Sequence, residues 1–233
     1  MNQQLIYIAD DEVNICNIIK SFLIKEGYAV QTYFNGRTLL DAFKKRPADL
    51  LILDIMMPEM DGFTLCSAIR EISNIPIIFV SAKDNETDRI VGLNLGSDDY
   101  MTKPFSPMEL IARVKSIFRR IEMDRKAMQN SSPVQIGDVI LYPERRCAEC
   151  SGRSLNLTVM EFNLMLYLGV NKNRAISREE LLNKVWGFEN EAGTRATDDM
   201  IKRIRGKLSD AESDLKIETI WGFGFSISDI KRE

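Results

Sequence analysis

The first half of the chain contains acidic, hydroxyl and basic side chains that directly follow short apolar runs. These residues are Asp10, Asp11, Glu12, Asp54, Ser81 and Lys103. Clustered carboxylates repel one another, and Mg²⁺ relieves this by taking one or two carboxylates with other oxygens, here Asp11, Asp54 and the main-chain carbonyl of Met56. A carboxylate can also attack phosphorus and form an aspartyl-phosphate. The pattern therefore indicates magnesium-assisted phosphoryl transfer, with Lys103 as a second positive charge.

Histidine is absent from the chain, and there are only four cysteines, Cys16, Cys66, Cys147 and Cys150. The missing imidazole excludes histidine-based triads, histidine-ligated zinc sites and histidine general bases. Four cysteines are too few for a disulfide scaffold, so we expect reduced thiols. No apolar run reaches the roughly 18–20 residues of a membrane span, and a signal-peptide pattern is missing, so we expect a cytoplasmic protein.

The acids must be positioned by the elements around them, and residues 5–121 alternate five times between short apolar runs and amphipathic stretches. The predicted strands are Leu5–Ala9, Ala29–Tyr33, Leu50–Leu53 and residues 77–80 and 100–102, and the predicted helices are Val13–Lys25 and residues 37–45, 63–70, 86–95 and 106–120. Runs that are almost wholly apolar are typical of parallel strands covered on both faces. The alternation predicts a doubly wound α/β domain with a five-stranded parallel sheet and a ligand site at the carboxyl ends of its strands.

An acid at one strand end is usually a solvated turn residue, but here five positions on four strand ends fit one pattern. Residues 8–12, 53–62, 81–82 and 96–105 resemble the CheY-like receiver domain, and the resemblance covers nearly all of residues 1–121. It implies that Asp54 accepts a phosphoryl group from a sensor histidine kinase and that Asp10 and Asp11 hold Mg²⁺.

The same resemblance implies a mechanism that transmits the phosphorylation signal. Ser81 and Tyr100 would form a switch pair, in which the hydroxyl of Ser81 turns toward the phosphoryl group and the ring of Tyr100 moves inward. Lys103 would pair with the phosphate. A cis peptide bond is expected between Lys103 and Pro104, since cis bonds are realistic only before proline.

The predicted elements at residues 86–95, 100–102 and 106–120 carry a charged outer face, which by itself indicates a solvated surface. The resemblance implies that this face is a dimer surface used on phosphorylation. Its charged positions pair Arg89 with Glu109, Asp99 with Arg113, and Asp98 with Arg120. Exposed ion pairs contribute only about 0–1 kcal/mol each, so they would fix register while apolar contacts supply affinity.

A second domain is predicted after a polar linker at residues 122–133, which ends in Asn-Ser-Ser-Pro. Residues 134–233 combine short strands, three helical patterns and a glycine-containing hairpin. The predicted strands are Val134–Ile136, residues 139–141, 145–150 and 154–156, and the hairpin strands Ile217–Ile220 and residues 225–228. The predicted helices are residues 158–170, 177–185 and 194–209, and capping-box spacings mark the first two starts, Thr158 with Glu161 and Ser177 with Glu180.

The third of these helices contains four cations without an intervening acid, a pattern that fits either a solvated face or a DNA-groove surface. Residues 157–164, 177–182 and 185–187 resemble the OmpR/PhoB-type winged helix, an α+β helix-turn-helix domain, across about residues 134–230. The resemblance implies binding to promoter DNA at direct repeats and to RNA polymerase through residues 187–193. The implied DNA contacts are Arg195, Thr197, Lys202, Arg203, Arg205 and the wing residue Trp221.

Two features depart from that family pattern. Thr197-Asp198-Asp199-Met200 stands where Val-Asp-Val-His is common, and Trp221 stands where the wing often has an arginine. Without that arginine, a minor-groove contact of the wing loses its usual basis. The Trp-Gly-x-Gly wing is also similar to that of regulators of glycopeptide resistance, which would place cell-envelope or antibiotic-response genes under control of this chain.

Cys147 and Cys150 form a Cys-x-x-Cys pair beside a turn. A second such pair is absent, so the pair fits two ordinary reduced thiols, with a redox or metal role as the alternative.

The pattern as a whole predicts a phosphorylation-gated transcription factor, not an enzyme. One alternative is a phosphatase or phosphotransferase, which would need a second acid or base near Asp54. Another is a phosphorylation-independent DNA binder with a degenerate receiver, and the presence of every expected pocket residue argues against it.

Overall fold

The computed structural model describes residues 3–82, 97–128, 132–186 and 194–228. The chain forms two compact units, Met1–Lys115 and Ser116–Glu233. The helix predicted at residues 86–95 and the loop predicted at residues 187–193 lie outside the described residues.

The first unit contains one five-stranded parallel sheet in the order β2-β1-β3-β4-β5. Its strands are β1 (Leu5–Ala9), β2 (Ala29–Tyr33), β3 (Leu50–Leu53), β4 (Ile77–Ser81) and β5 (Asp99–Thr102), and its described helices are α1 (Val13–Lys25), α2 (Gly36–Lys45) and α3 (Gly62–Arg70). Helix α4 (Pro107–Met128) begins in this unit and continues past Lys115. Every residue of β1, β3 and β4 is buried, which agrees with their almost wholly apolar sequences. The predicted fold class of this half is confirmed.

Helix α4 is longer than the sequence pattern predicted. It continues to Met128, so residues 122–128 of the predicted linker are helical. These residues, Glu-Met-Asp-Arg-Lys-Ala-Met, are mostly good helix formers, and the nearest helix breaker is Pro133. Low hydrophobicity indicated a linker there, whereas helix propensity and the absence of a breaker favour helix continuation.

The second unit has the predicted winged-helix architecture. A four-stranded antiparallel sheet comprises β6 (Val134–Ile136), β7 (Val139–Tyr142), β8 (Cys147–Cys150) and β9 (Arg153–Leu155). It is followed by α5 (Val159–Val170), β10 (Ile176–Ser177), α6 (Arg178–Leu181), a π-helical turn (Leu182–Trp186), α7 (Thr194–Asp210), β11 (Ile217–Ile220) and β12 (Gly224–Ile227). Strands β10, β12 and β11 form a second sheet.

Helix starts in this unit follow the predicted capping residues. The Thr158 side chain accepts a hydrogen bond from the Glu161 backbone, and the Glu161 side chain accepts one from the Thr158 backbone, which completes a capping box. The Ser177 side chain accepts a hydrogen bond from the Glu180 backbone. The short strand β10 was not predicted, because two residues give no periodic signal.

Candidate functional site

Two buried aspartates lie at the carboxyl edge of the parallel sheet. Asp10 follows β1 and is 2% exposed, and Asp54 follows the neighbouring strand β3 and is 4% exposed. The Asp54 backbone N–H donates to the Ala9 carbonyl at 2.7 Å, and the Asp10 backbone N–H donates to the Tyr33 carbonyl at 3.2 Å. The strand ladder thus extends one residue past each strand and holds both carboxylates at the same edge.

The Lys103 ammonium lies between these carboxylates. Its Nζ is 2.8 Å from Asp10 Oδ2, 2.8 Å from Asp54 Oδ2 and 3.1 Å from Glu12 Oε1. Burial opposes the charged form of Lys103, but hydrogen bonds to Asp10 and Asp54 outweigh it and raise the pKa of the ammonium. Burial raises the pKa of Asp10 despite the bond to Lys103. The Lys103–Pro104 peptide bond is cis, as predicted.

Three carboxylates are close enough to share a cation. Ligand oxygens of Asp10, Glu12 and Asp54 all lie within 4.8 Å of one another. Such hard oxygen donors are the type that Mg²⁺ prefers, and three negative charges exceed the single charge of Lys103. Asp11 is exposed and does not belong to this group, whereas Glu12 does.

The position of Glu12 has a local cause. Its backbone is extended, with φ −83° and ψ 99°, and its N–H donates to Asp10 Oδ1 at 2.9 Å. This bond from a backbone N–H to the side chain two residues earlier turns the chain at Asp11 and brings Glu12 back beside Asp10. Sequence reasoning placed Glu12 after the strand without assigning it a role, although an aspartate two positions earlier is a turn signal that the sequence shows.

The loop after β3 packs tightly against the backbone of Asp54. The Met56 N–H donates to Asp54 Oδ1 at 3.2 Å, and the Gly62 N–H donates to the Ile55 carbonyl at 3.0 Å. A Cβ at Gly62 would lie 2.1 Å from the Asp54 carbonyl oxygen, so only glycine fits. Asp61 caps α3 by accepting a hydrogen bond from the Thr64 backbone at 2.7 Å.

Ser81 and Tyr100 lie on adjacent strands next to this edge. Phe79 is the register partner of Tyr100, and Ser81 is the partner of Thr102. Since Ser81 is two residues after Phe79, it shares a sheet face with Tyr100. Ser81 is fully buried and Tyr100 is 8% exposed.

The predicted dimer surface contains an ion-pair network within one chain. Arg113 Nη1 contacts both carboxylate oxygens of Asp99, at 2.8 and 2.7 Å, and Arg113 Nη2 lies 2.7 Å from Glu109 Oε1. Arg89 and the side chain of Arg120 lie outside the described residues.

Asp98 does not belong to that surface, which corrects its predicted role as a dimer contact. It is 1% exposed, pairs with Arg70 at 3.1 Å, and accepts a hydrogen bond from the Ile77 backbone at 2.9 Å. Asp98 and Asp99 are adjacent and both buried, but Asp99, the first residue of β5, pairs with Arg113 instead of Arg70. Two adjacent acids in the sequence gave no sign of which cation each one pairs with.

In the second unit, Glu161 and Arg203 form a buried ion pair between α5 and α7. Glu161 is 0% exposed, and its Oε1 lies 3.5 Å from Arg203 Nε, while its Oε2 lies 2.6 Å from Lys207 Nζ. Burial opposes ionisation, but the charges of Arg203 and Lys207 outweigh it and lower the pKa of Glu161. This cluster fixes α7 against the domain core.

Two predicted DNA contacts therefore need correction. Arg203 is 9% exposed and Thr197 is 0% exposed, so neither side chain is presented on the surface. A run of cations on a helix includes residues on every side of it, since 3.6 residues complete each turn. The sequence did not reveal that Glu161, on a different helix, provides a buried partner for Arg203.

Lys202 and Arg205 remain exposed on α7 and are three residues apart, so they lie on one helix face. Arg205 Nε donates to the Ile217 carbonyl at 3.0 Å, and its Nη2 donates to Thr219 Oγ1 at 2.9 Å. These bonds fix Arg205 against strand β11 of the hairpin. The side chain of Arg195 lies outside the described residues.

The hairpin formed by β11 and β12, the wing, depends on two glycines for different reasons. Gly222 has φ +71°, a left-handed conformation that favours glycine. A Cβ at Gly224 would lie 1.9 Å from the Ile176 carbonyl, so glycine allows β12 to pair with β10. Trp221 at the turn is 93% exposed.

The Cys-x-x-Cys pair lies on strand β8, where Cys147 is half-buried and Cys150 is buried. Residues three apart on a strand point to opposite sides of the sheet. The two sulfur atoms of one strand therefore cannot share a metal ion or form a disulfide with each other. This geometry favours two ordinary thiols.

Comparisons with known proteins agree with both halves of this architecture. Residues 6–115 match the response regulator receiver domain, and residues 152–227 match the C-terminal domain of transcriptional regulatory proteins. The fold and the strand-end acidic site thus define a response regulator with a DNA-binding output domain.

Relatives that match this chain along nearly their whole length identify its family. The chain is 38% identical over 225 residues to the transcriptional regulatory protein YclJ of Bacillus subtilis (strain 168), which covers 96% of this chain and 99% of YclJ. It is 37% identical over 238 residues to the alkaline phosphatase synthesis transcriptional regulatory protein PhoP of the same strain, with 99% of each covered. The chain belongs to the OmpR/PhoB family of two-component response regulators.

Solved structures agree with this assignment. DrrB of Thermotoga maritima, an OmpR/PhoB homologue, is 28% identical with a TM-score of 0.52, and the match covers 97% of this chain and 100% of DrrB. A mutant of RitR has a TM-score of 0.81 at 22% identity over 97% of this chain and 99% of that one, which shows a shared fold.

The predicted family and general function are therefore confirmed. The chain is a two-component response regulator with a transcriptional output domain, and its family comprises DNA-binding regulators rather than enzymes. In the part of the chain that the structure describes, no helix has the length and hydrophobicity needed to cross a bilayer.

Proposed function

We propose that Asp54 accepts a phosphoryl group from a sensor histidine kinase and that this modification controls promoter binding. The observation that carries the proposal is the contact of Asp54 Oδ2 with Lys103 Nζ at 2.8 Å inside a pocket of three carboxylates. A carboxylate oxygen of Asp54 forms the new bond to phosphorus as the phosphorus–nitrogen bond of the donor breaks. Lys103 then pairs with the phosphoryl oxygens.

The donor set fits Mg²⁺, which when bound would neutralise the charge of the transferring phosphoryl group. The residue pattern predicts Asp11, Asp54 and the main-chain carbonyl of Met56 as ligands, and the family resemblance implies Asp10 as well. The proximity of Glu12 to Asp10 and Asp54 supports adding Glu12 to this group.

We propose that the conformational response to phosphorylation begins with Ser81 and Tyr100, which share one sheet face beside the pocket. We propose that the Ser81 hydroxyl turns toward the phosphoryl group and that the ring of Tyr100 moves inward into the space that Ser81 vacates. In the homodimer, the contacts among Arg113, Asp99 and Glu109 within one chain are then replaced by contacts with the second copy. Arg89 and Arg120 are further candidates for such contacts across the dimer. The contacts of Arg113 within one chain show that the charges are complementary.

DNA binding is assigned to the exposed face of α7 with Lys202 and Arg205, together with Arg195 and the wing. An α-helix fits the major groove, and exposed cations both position phosphates and read guanine. We propose promoter sites built as direct repeats, contact with RNA polymerase through residues 187–193, and action in the cytoplasm. Control of cell-envelope or antibiotic-response genes remains a prediction from the wing sequence.

Mass spectrometry after incubation with acetyl phosphate and Mg²⁺ tests the acceptor. We expect a phosphoryl adduct on the peptide containing Asp54, lost in Asp54→Asn and retained in Asp61→Asn. Asp61→Asn is a matched control, because it makes the same change in the same loop and asparagine also caps helices well. An adduct on another residue, or none in the wild type, would overturn the proposal.

Sedimentation velocity tests the dimer. Beryllium fluoride, a phosphoryl mimic, should increase the sedimenting mass of the wild type and have less effect on Arg113→Ala. An identical mass with and without the mimic at every usable concentration contradicts phosphorylation-dependent dimerisation.

A further inference from the structure

The first half of α7 contains two adjacent acids where the family pattern usually has one. Asp198 matches the aspartate of the common Val-Asp-Val-His pattern, whereas Asp199 stands where the second valine is common. The neighbours on both sides, Thr197 and Met200, are buried, and Asp199 is half-buried. Asp199 is therefore an additional charge of this chain on a helix that is proposed to bind DNA.

Three other charged residues of α7 hold the helix against the rest of the unit. Asp198 accepts hydrogen bonds from Arg178 Nε and Nη2, both at 2.8 Å, and these two bonds join α7 to the start of α6. Arg203 and Lys207 pair with Glu161 of α5, at 3.5 and 2.6 Å. Because these contacts fix the orientation of α7, the helical repeat determines the face on which Asp199 lies.

Asp199 lies on the same helix face as Lys202 and Gly206. These residues follow Asp199 by three and seven positions, a spacing that places all three along one stripe of the helix. Lys202 and Gly206 are exposed, and a Cβ at Gly206 would meet nothing within 4 Å. The stripe thus combines a carboxylate, an ammonium and a position without a side chain, where the helix backbone can approach a groove closely.

The chemistry of a carboxylate limits which base edge it can contact in the major groove. An ionised carboxylate accepts hydrogen bonds and donates none. Guanine presents two acceptors there and thymine presents one, while adenine presents its amino group beside an acceptor. Cytosine presents only its N4 amino donor, which makes it the best match for Asp199. Lys202, on the same stripe, offsets the repulsion between this carboxylate and the phosphates.

We infer that Asp199 determines base specificity by accepting a hydrogen bond from the N4 amino group of a cytosine in the promoter site. This inference rests on the proposed DNA binding and names a base that the site must contain. Any other base at that position leaves the carboxylate without water and without a well-placed donor, which disfavours binding. A valine side chain can neither donate nor accept, so this preference belongs to the present chain and not to the family pattern.

Sequencing of duplexes selected from a random library tests the inference, with the full chain and beryllium fluoride. The wild type should select sites with a cytosine at a position where Asp199→Ala shows no preference. Asp199→Asn, a change of nearly equal size, should select adenine there, because an asparagine amide can contact both N6 and N7 of adenine. In fluorescence anisotropy, replacing that cytosine should weaken binding roughly tenfold for the wild type and about twofold or less for Asp199→Ala.

Asp198→Asn is the matched control, because it makes the same change at the adjacent acid, whose partner is Arg178. It should leave the base preferences of the wild type unchanged. The salt slope, which is the slope of log K against log salt concentration, gives a second readout. It should be equal in the wild type and Asp199→Ala, because a contact with a base releases no counterion. A changed slope would assign Asp199 to the phosphate contacts and contradict the inference.

Identical base preferences in the wild type and Asp199→Ala would overturn the inference. So would an equal loss of affinity for all sequences in Asp199→Ala, or loss of the cytosine preference in Asp198→Asn as well, since the placement of α7 would then set the specificity. A wild type that selects no duplex would instead refute the proposed DNA binding itself.

Discussion

Replacing Glu161 with glutamine should strongly destabilise the second unit. Glutamine can still complete a capping box with Thr158, so the change removes the charge and leaves the helix cap. Arg203, whose side chain is 6% exposed, would lose the carboxylate 3.5 Å away. Removing one partner of a buried ion pair leaves an uncompensated buried charge and costs about 3–5 kcal/mol.

Urea unfolding measures this effect selectively, because both tryptophans, Trp186 and Trp221, belong to the second unit. With a slope of about 2 kcal/mol per molar urea, a loss of about 3 kcal/mol lowers the unfolding midpoint by about 1.5 M. With excitation at the red edge of tryptophan absorption, the fluorescence reports the unfolding of the second unit without signal from the tyrosines of the first.

Glu180→Gln is the matched control, since Glu180 pairs with Arg174 on the surface, where ion pairs contribute little. Adding Arg203→Met to Glu161→Gln should recover most of the lost stability, because the apolar side chain removes the buried charge while glutamine keeps the helix cap. If Glu161→Gln shifts the midpoint no further than Glu180→Gln, the buried pair does not stabilise this unit.

Three further predictions concern pH, packing and salt. The pKa of Glu161 is lowered from its ordinary value of 4.5, so its stabilisation is present above that pH and lost below it, and the midpoints of wild type and Glu161→Gln should converge on acidification. Gly62→Ala should lower the melting temperature of the first unit and its yield of acyl phosphate, because the added Cβ would meet a backbone oxygen at 2.1 Å. Gly206→Ala, with open space around its Cβ, should stabilise α7 by about 0.5–1 kcal/mol in thermal melts; similar destabilisation by both changes would refute the packing argument. Lys202→Ala should weaken DNA binding and reduce the salt slope by about 0.9, and an unchanged slope would remove Lys202 from the phosphate contacts.

Much of the receiver architecture could be predicted because its signals are local. Almost wholly apolar strands and amphipathic helices indicated a parallel sheet. Because ligand sites of such sheets lie at the carboxyl ends of the strands, Asp10, Asp54 and Lys103 could be placed at one edge. The distances of 2.8 Å from Lys103 to both aspartates agree with that expectation. The end of α4 was mispredicted, since composition favoured a linker while helix propensity favours the observed extension to Met128.

Residue orientation was the main feature that the sequence did not determine. Asp98 and Asp99 are adjacent buried acids, yet one pairs with Arg70 and the other with Arg113. Likewise, Arg203 belongs to a cationic run but pairs with Glu161, which is distant in sequence. Such partners come from tertiary packing, which charge patterns along one element do not report.

The central claim is that modification of Asp54 controls DNA affinity. The most direct test is to titrate a labelled duplex, selected from a random library by the wild type, with and without beryllium fluoride. We predict that the mimic tightens binding by the wild type and has no effect on Asp54→Asn. Equal tightening in Asp54→Asn, or none in the wild type, would contradict the claim.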